Sequence, residues 1–449
     1  MQTLASTIAG KKVTVMGLGL LGRGVGDAAA LAEAGAAEVL VTDLKIEAEL
    51  ADSVAALEKY ENITFRLGEH RLEDFRDRAV ILVAAGVPFY SKYLAEAKSA
   101  GVPLKQSAAW FAELSEVPII GVTGTRGKST VTHMIHHVLS AVTGEQILLG
   151  GNIRGVSNLQ LLNQVQSDSL CVMELDSWQL QGFGWAKCSP QVAVFTNFMP
   201  DHLNYYQSNG RSQAEAMERY FLDKANIFRY QDESGVFITT PAVFDQAKQL
   251  ADVTIGQEVV LADDSCLPED TLLSMPGEHN RLNAALAYEA LRALSLQDEE
   301  IFAALATFPG VPGRLEYLGE RDDIKIYNDN NATTPQATIQ GLRAVGNSDD
   351  KNVILIAGGA HKNIDPTPLL SEIETYCKAV ILLPGTGTDA IKDALDATVV
   401  PDIPAAVTAA LAVGKPGDVL LFSPAFASFG LFKNEYERND AFVQCIATL

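Results

Sequence analysis

The chain has 449 residues, 47% apolar and 20% charged, longer than one hydrophobic core usually serves, so two or three domains are expected. No apolar run reaches the roughly 18–20 residues that span a bilayer, and Met1 to Gly10 lacks the pattern of a secretory signal, so a cytoplasmic protein without a membrane span is expected. A formal charge of −22 disfavours nucleic acid and anionic membrane as partners, and any anionic substrate would need locally gathered positive charge.

The chain opens with an apolar run Val13 to Met16, the turn Gly17-Leu18-Gly19-Leu20-Leu21-Gly22, an alanine-rich helical stretch, and a second apolar run ending Val41-Thr42-Asp43. That is a βαβ start. Its glycines permit a tight turn and close approach to a phosphate, and Asp43 lies about where an acid would meet a ribose. Read alone, the turn suits a nicotinamide dinucleotide, a UDP-linked sugar or a structural bend. The phosphate loop downstream favours the UDP reading, because it supplies an energy source and leaves a redox cofactor without a task. Gly17, Leu18, Gly19 and Gly22 would then cradle a diphosphate, with Asp43 near the uridine.

A second start appears at Pro118-Ile119-Ile120-Gly121, which runs into Val122-Thr123-Gly124-Thr125-Arg126-Gly127-Lys128-Ser129-Thr130 and a helix with apolar Val131, Met134, Ile135 and Val138. A glycine-rich turn between strand and helix aims backbone N–H groups at phosphates, so this is an ATP site. Lys128 would hold the β- and γ-phosphates and Ser129 a magnesium ion. Further strands are expected at Leu170 to Leu175, Val192 to Thr196 and Val236 to Thr239, with helices at Glu215 to Phe228 and Leu282 to Leu294. Glu174 ends an apolar strand, where a buried carboxylate needs a cation or donors, and is expected to bind magnesium. Asn197, Asp201 and His202 follow the next strand and could contact a second metal or orient a substrate.

Pro309-Gly310-Val311-Pro312-Gly313 reads as a linker. Beyond it, strands are expected at Ile324 to Tyr327, Val353 to Ala357, Val380 to Leu383 and Val419 to Phe422, each followed by a helical segment. The fold class is therefore α/β in three layered units with parallel strands and ligands at their carboxyl ends. The units are a Rossmann-like UDP-binding domain over 1–107, a central P-loop ATPase-type domain over 108–310 and a Rossmann-like C-terminal domain over 311–449. Five cysteines, irregularly spaced and never in a C-x-x-C pair, suggest reduced, mostly core thiols.

Taken together, several strings resemble the Mur ligase family, in the family's order and over essentially the whole chain. They are the Gly124-Thr125-x-Gly127-Lys128-Ser129 loop, Gly150-Gly151-Asn152-Ile153, Glu174 to Leu180, Asn197 with Asp201-His202, Gly277-Glu278-His279-Asn280, Pro312-Gly313-Arg314-Leu315-Glu316 and Asn328-Asp329-x-x-Ala332-Thr333. Gly358 to Asp365 and Ser423 to Asn434 resemble the glutamate-adding branch.

The resemblance implies an ATP- and Mg2+-dependent amide-bond-forming ligase of peptidoglycan synthesis, monomeric, taking UDP-N-acetylmuramoyl-L-alanine, ATP and D-glutamate through an acyl phosphate. ATP would meet Gly124, Thr125, Gly127, Lys128, Ser129, Thr130, Asn283, Arg314 and Asp329. The UDP precursor would meet Gly86, Asn152, Gln179 and His202, and glutamate would meet Thr333, Lys362, Ser428 and Phe429. Two magnesium ions would use Ser129, Glu174, His202 and an N-carboxylated Lys224, although spacing alone reads Lys224 as an ordinary helix-surface lysine. The resemblance also implies that the C-terminal domain closes about Pro309 to Gly313.

Three departures stand out. Asn331 occupies a place where the glutamate branch commonly has lysine, Ala84-Ala85-Gly86 replaces a frequent Ser-Pro-Gly, and Asp176 replaces a frequent serine. The first leaves open the addition of L-glutamate or another amino acid, and the other two bear on the precursor end; a nucleotide-binding regulator without turnover is the rival of a different class, disfavoured by the intact Lys128, Glu174, His202 and Lys224.

Overall fold

The computed structural model describes residues 3–19, 22–208, 210–250, 253, 255–271, 273, 275, 277–362 and 364–448. Leu20 and Leu21 of the first glycine turn, and Asn363 of the C-terminal string, lie outside the described residues. The chain forms two compact units, Met1–Glu269 with Asn283–Ala304, and Asp270–Leu282 with Leu305–Leu449.

The first unit holds two parallel sheets. One comprises β1 (Lys12–Met16), β2 (Glu38–Asp43), β3 (Ile63–Leu67), β4 (Val80–Val83) and β5 (Leu104–Lys105) in the order β3-β2-β1-β4-β5. The other comprises β6 (Ile119–Thr123), β7 (Ile147–Gly151), β8 (Leu170–Glu174), β9 (Val192–Phe195), β10 (Val236–Thr239) and β11 (Glu258–Leu261) in the order β11-β10-β9-β6-β8-β7. Central strands such as β4, β6 and β9 are buried along their whole length, which explains their unbroken apolar runs: helices cover both faces. Strand order reverses beside β1 and β6, and there the loops leave a crevice at the carboxyl ends.

The second unit holds β12 (Glu316–Arg321), β13 (Ile324–Asn328), β14 (Val353–Gly358), β15 (Cys377–Leu383), β16 (Ala397–Val399) and β17 (Val419–Phe422), ordered β12-β13-β17-β14-β15-β16. The expectation of uniformly parallel strands fails at one edge, where β12 runs antiparallel to β13. Asp322 and Asp323 both adopt positive φ, 51° and 57°, the handedness of a two-residue hairpin turn that Asp tolerates. β12 is a charged edge strand with Tyr317 exposed, so it carries no apolar run to announce it.

The anticipated strands and helices are present with ends shifted by a few residues; the two long helices run Gln213–Ala225 and Glu278–Ala293. All five cysteines are free; Cys171 is buried in a core, and Cys188, Cys377 and Cys445 are partly buried and pack against core clusters, in line with mostly core thiols. Among the described residues no helix is long and apolar enough to cross a membrane.

Candidate active site

Strand β6 delivers the chain into the phosphate-type loop, and Gly127, at φ 82°, caps the helix Lys128–Val142. The loop's glycines are dictated by packing. A Cβ on Gly124, at φ 145°, would lie 1.9 Å from Thr196 Oγ1, and one on Gly127 would lie 2.4 Å from Asn283 Oδ1. Thr196 Oγ1 donates to the Arg126 carbonyl at 2.5 Å, and Asn197 both accepts from the Arg126 N–H at 2.9 Å and contributes a carbonyl to the Thr125 N–H at 2.9 Å. Arg126 also pairs with Asp201 at 2.9 Å. The loop after β9 thus braces the phosphate loop, a role the sequence did not suggest for Asn197 and Asp201.

Strand β8 ends on Glu174, which is buried and accepts from Ser129 Oγ at 2.5 Å and from Asn152 Nδ2 at 3.0 Å. Asn152 reaches it because Gly151, at φ 82°, passes so close to the Glu174 carbonyl that a Cβ would stand 2.1 Å away, while the Asn152 N–H donates to that carbonyl at 2.7 Å. Arg23 donates to Asn152 Oδ1 from the first sheet's side. Ser129 and Glu174, both expected at magnesium, are therefore joined, and Asn152, expected at the UDP precursor, shares the same carboxylate, while Arg23 adds a cation the sequence did not flag. Thr130 lies buried one residue further along the helix.

Lys224 is not a surface lysine. It is 1% exposed, and its ammonium donates to the Gly124 carbonyl at 2.7 Å and to Thr123 Oγ1 at 3.3 Å, with the Tyr220 ring 5.1 Å below. Lys128 reaches the same Gly124 carbonyl at 3.1 Å. Burial, followed by the Lys128 charge, holds the Lys224 amine well below the ordinary lysine range against Asp176, Asp201 and Glu174. His202 takes a left-handed backbone, φ 55°, and tilts against Trp178 at 4.6 Å. Burial lowers its affinity for a proton, and Asp201 only partly restores it. Burial raises the Asp201 carboxyl, but His202 and Arg126 outweigh it and leave the carboxyl below its ordinary range. Asp176 caps the helix Ser177–Ala186, accepting from the Gln179 N–H at 2.8 Å; this is its evident use for polarity at that position.

The crevice beside β1 opens into a cavity of about 240 Å³, lined by Gly17, Leu18 and Gly19 after β1, Ala84 and Ala85 after β4, and Asn158 and Gln179 from the second sheet's side. Gly22, at φ 79°, caps the helix Arg23–Glu33, and Gly86, at φ 88°, leaves room for the Trp178 ring 4.0 Å from where its Cβ would be. Asp43 lies under the turn rather than in the lining: its Oδ2 accepts from the N–H groups of Leu18 at 2.8 Å and Gly19 at 3.3 Å, and its Oδ1 from Lys45 at 2.9 Å. The cavity also exposes what the sequence did not single out, Gln106, whose buried amide has neither its oxygen nor its nitrogen hydrogen-bonded among the described residues. An orphaned buried amide costs stability unless a ligand completes it.

In the second unit, the loops after β13, β14 and β17 gather at one end of the sheet. Asp329 accepts from the Leu315 N–H at 3.2 Å and pairs with Ser423 Oγ at 2.8 Å, and burial lifts its carboxyl to about 7. Arg314 keeps a buried Nε without a hydrogen-bond partner among the described residues. Lys362 donates to Thr333 Oγ1 at 2.8 Å, bringing two of the expected glutamate residues together. Ser428 is buried, whereas Phe429 is exposed to 63%. Arg438, buried and among the described residues without a carboxylate at ion-pair distance, donates to Asn330 Oδ1 at 2.8 Å, Asn330 O at 2.9 Å and Phe426 O at 3.1 Å, and burial pushes it down to about 10. It locks the β13 and β17 loops together.

Two family models match the chain, the Mur ligase middle domain over residues 122–254 and the Mur ligase glutamate ligase domain over residues 313–426. A UDP-N-acetylmuramoylalanine–D-glutamate ligase from Roseiflexus sp. (strain RS-1) is 36% identical, covering 97% of this chain and 98% of its own. Its namesake from Borreliella afzelii (strain PKo) is 32% identical with 97% of each chain covered. Among solved structures, the UDP-N-acetylmuramate-alanine ligase of Thermotoga maritima superposes with a TM-score of 0.61 at 18% identity, over 98% of this chain and 99% of that one. The MurF ligase of Thermotoga maritima in complex with ADP gives 0.59 at 16%, over 100% and 99%.

Proposed function

We propose a reaction from one premise: this chain belongs to the Mur ligase family. It joins D-glutamate to UDP-N-acetylmuramoyl-L-alanine at the expense of ATP, a step of peptidoglycan precursor synthesis. The carrying observation is the convergence of Lys128, Ser129, Glu174 and Lys224 on one phosphate-type loop within the same compact unit as the 240 Å³ cavity. The alanyl carboxylate attacks the γ-phosphate to give an acyl phosphate, and the amine of glutamate then displaces phosphate to leave the amide.

Two anions must meet in the first step, and in a chain of charge −22 the opposing field has to be local. Lys128 and the loop N–H groups would bind the transferring phosphoryl group and stabilise the charge spread over its oxygens. Gln179, Asn152 and His202 would orient the UDP precursor, and the orphaned Gln106 amide supports a polar ligand in the cavity. Lys362 and Thr333 would hold a glutamate carboxylate, with Ser428 and Phe429 flanking it.

Magnesium fits the donor set. Ser129 Oγ and Glu174 Oε2 are hard oxygens 2.5 Å apart, suited to an ion that keeps waters and takes the rest of its shell from phosphates. Among the described residues no three His, Cys, Asp or Glu side chains gather as a protein-only metal cage. A second ion would draw on His202 and a carboxylated Lys224, whose burial favours the neutral amine that reacts with carbon dioxide. Bound magnesium neutralises phosphoryl oxygens.

The test is phosphate release from ATP with UDP-N-acetylmuramoyl-L-alanine and magnesium, comparing D-glutamate, L-glutamate and no amino acid, with Lys128→Ala as the blank. Release with D-glutamate alone supports the reading. Release with L-glutamate would point to Asn331, and release with neither would defeat the proposed reaction.

A further inference from the structure

A second cavity in the first unit, of about 230 Å³, lies behind the helix Gln213–Ala225, away from the phosphate-type loop. Asp223 and Arg219 of that helix face the cavity, while the neighbouring Lys224 reaches the other way to Gly124. Lys98 and Arg229 complete its charged lining, so three cations stand against one carboxylate, a surplus of two positive charges in a strongly acidic chain. Arg219 is 3.5 Å from Asp223, but among the described residues neither Lys98 nor Arg229 has a carboxylate within ion-pair distance.

Aromatic rings hold the two arginines without neutralising them. The Arg219 guanidinium lies 5.1 Å from the centre of Phe89, and that of Arg229 lies 5.8 Å from the centre of Tyr230. Such contacts fix a guanidinium while leaving N–H groups available for an oxyanion. The floor is built of buried polar groups already satisfied by protein: Asn226 Nδ2 donates to the Leu180 carbonyl at 3.0 Å and Gln181 Nε2 to Asp223 at 2.8 Å. Unmet charge is therefore confined to the cationic wall.

We propose that this cavity binds a small polyanion of the diphosphate class, at a site separate from the phosphate-type loop. Its volume equals that of about eight liquid waters, room enough for a diphosphate. Two or three negative charges match the surplus, and a cleft walled by rings focuses the field onto such a ligand.

Trp185 lines the cavity and serves as its reporter, whereas Trp178 stands beside His202 in the candidate active site. Inorganic diphosphate is titrated into the full chain in magnesium-free buffer with chelator, and tryptophan fluorescence is followed in the native protein and in Trp178→Phe. Both should respond saturably. The Lys98→Gln/Arg229→Gln variant should raise the apparent Kd at least tenfold, Lys98→Arg/Arg229→Lys should keep it within threefold, and Lys128→Ala should leave it unchanged. Circular dichroism establishes that all the variants are folded, and retained ATP binding does so for those at Lys98 and Arg229. No response, a response lost in Lys128→Ala but kept without Lys98 and Arg229, or an equal response to sulfate at matched ionic strength would each overturn the proposal.

Discussion

Asp329→Asn should change how the second unit's stability depends on pH. The carboxylate sits in a closed hydrogen-bond circuit: its Oδ1 takes the Leu315 N–H, and its Oδ2 lies 2.8 Å from Ser423 Oγ and so close to Gly341 that a Cβ there would approach it to 2.9 Å. Part of the residue's surface is exposed, but the acid group is enclosed. Ser423 Oγ has one proton and two neighbours at 2.8 Å, Asp329 Oδ2 and Thr338 Oγ1. A protonated Asp329 resolves the conflict by donating to Ser423, which then donates to Thr338. That agrees with the carboxyl lifted to about 7 by burial. Its raised affinity means that the folded state keeps a proton the unfolded chain loses, so stability falls as pH rises from about 4 to about 7 and is level above. Between pH 5 and pH 8 the loss is about two pH units' worth, roughly 3 kcal/mol, or about a hundredfold in opening equilibrium. Asparagine has no such proton. Hydrogen exchange followed by mass spectrometry on peptides covering β13 and β17, at matched pH, should show the variant's protection rising relative to the native chain by about a hundredfold between pH 5 and pH 8. A ratio constant within about threefold would refute the argument.

Three further outcomes are expected. Gly124→Ala should cost at least about 2 kcal/mol and abolish nucleotide binding by calorimetry, because its Cβ would collide with Thr196 Oγ1 at 1.9 Å; a well-folded variant with native ATP affinity would contradict this. Asp43→Ala should raise the KM for the UDP precursor at least tenfold with little change in kcat, since the N–H groups of Leu18 and Gly19 lose their shared acceptor, and an unchanged KM would show that the turn holds itself. With 13C-labelled bicarbonate, the native chain should show a carbamate carbon resonance that is absent in Lys224→Arg; no resonance in the native chain would sink carboxylation.

The sequence was most legible where backbone geometry demands particular residues. Gly124 and Gly127 could be read because the loop tolerates no Cβ, and Glu174 because a carboxylate closing a buried strand needs partners, which it has in Ser129 and Asn152. Short or partly exposed strands such as β3, β5, β11, β12 and β16 escaped, since half-polar segments carry no apolar run, while β4 and β7 were passed over although Val80 to Val83 and Ile147 to Leu149 are apolar. Asp43 was legible as a functional acid but not as a clamp on its own turn, because its partners lie 24 and 25 residues away along the chain. Arg126 with Asp201, and Arg23 with Asn152, join segments 75 and 129 residues apart, and nothing local marks either pair.

Lys224 was singled out by the resemblance and missed by spacing, although a local signal did exist. Ala216, Tyr220 and Lys224 recur every fourth residue, and Phe221 and Ala225 flank the same buried side of the helix. A helix-surface lysine should fall on the opposite side, with Glu215, Glu218 and Arg219. Lysine on an apolar stripe can snorkel to water or stay buried against hydrogen-bond acceptors. The first route is closed here: the side chain ends against the Gly124 carbonyl and Thr123 rather than at a surface. Burial then favours the uncharged amine, and the adjacent Lys128 presses in the same direction. A lysine whose helical phase is wrong for solvent therefore signals a buried amine from periodicity alone, before any partner a hundred residues away is known.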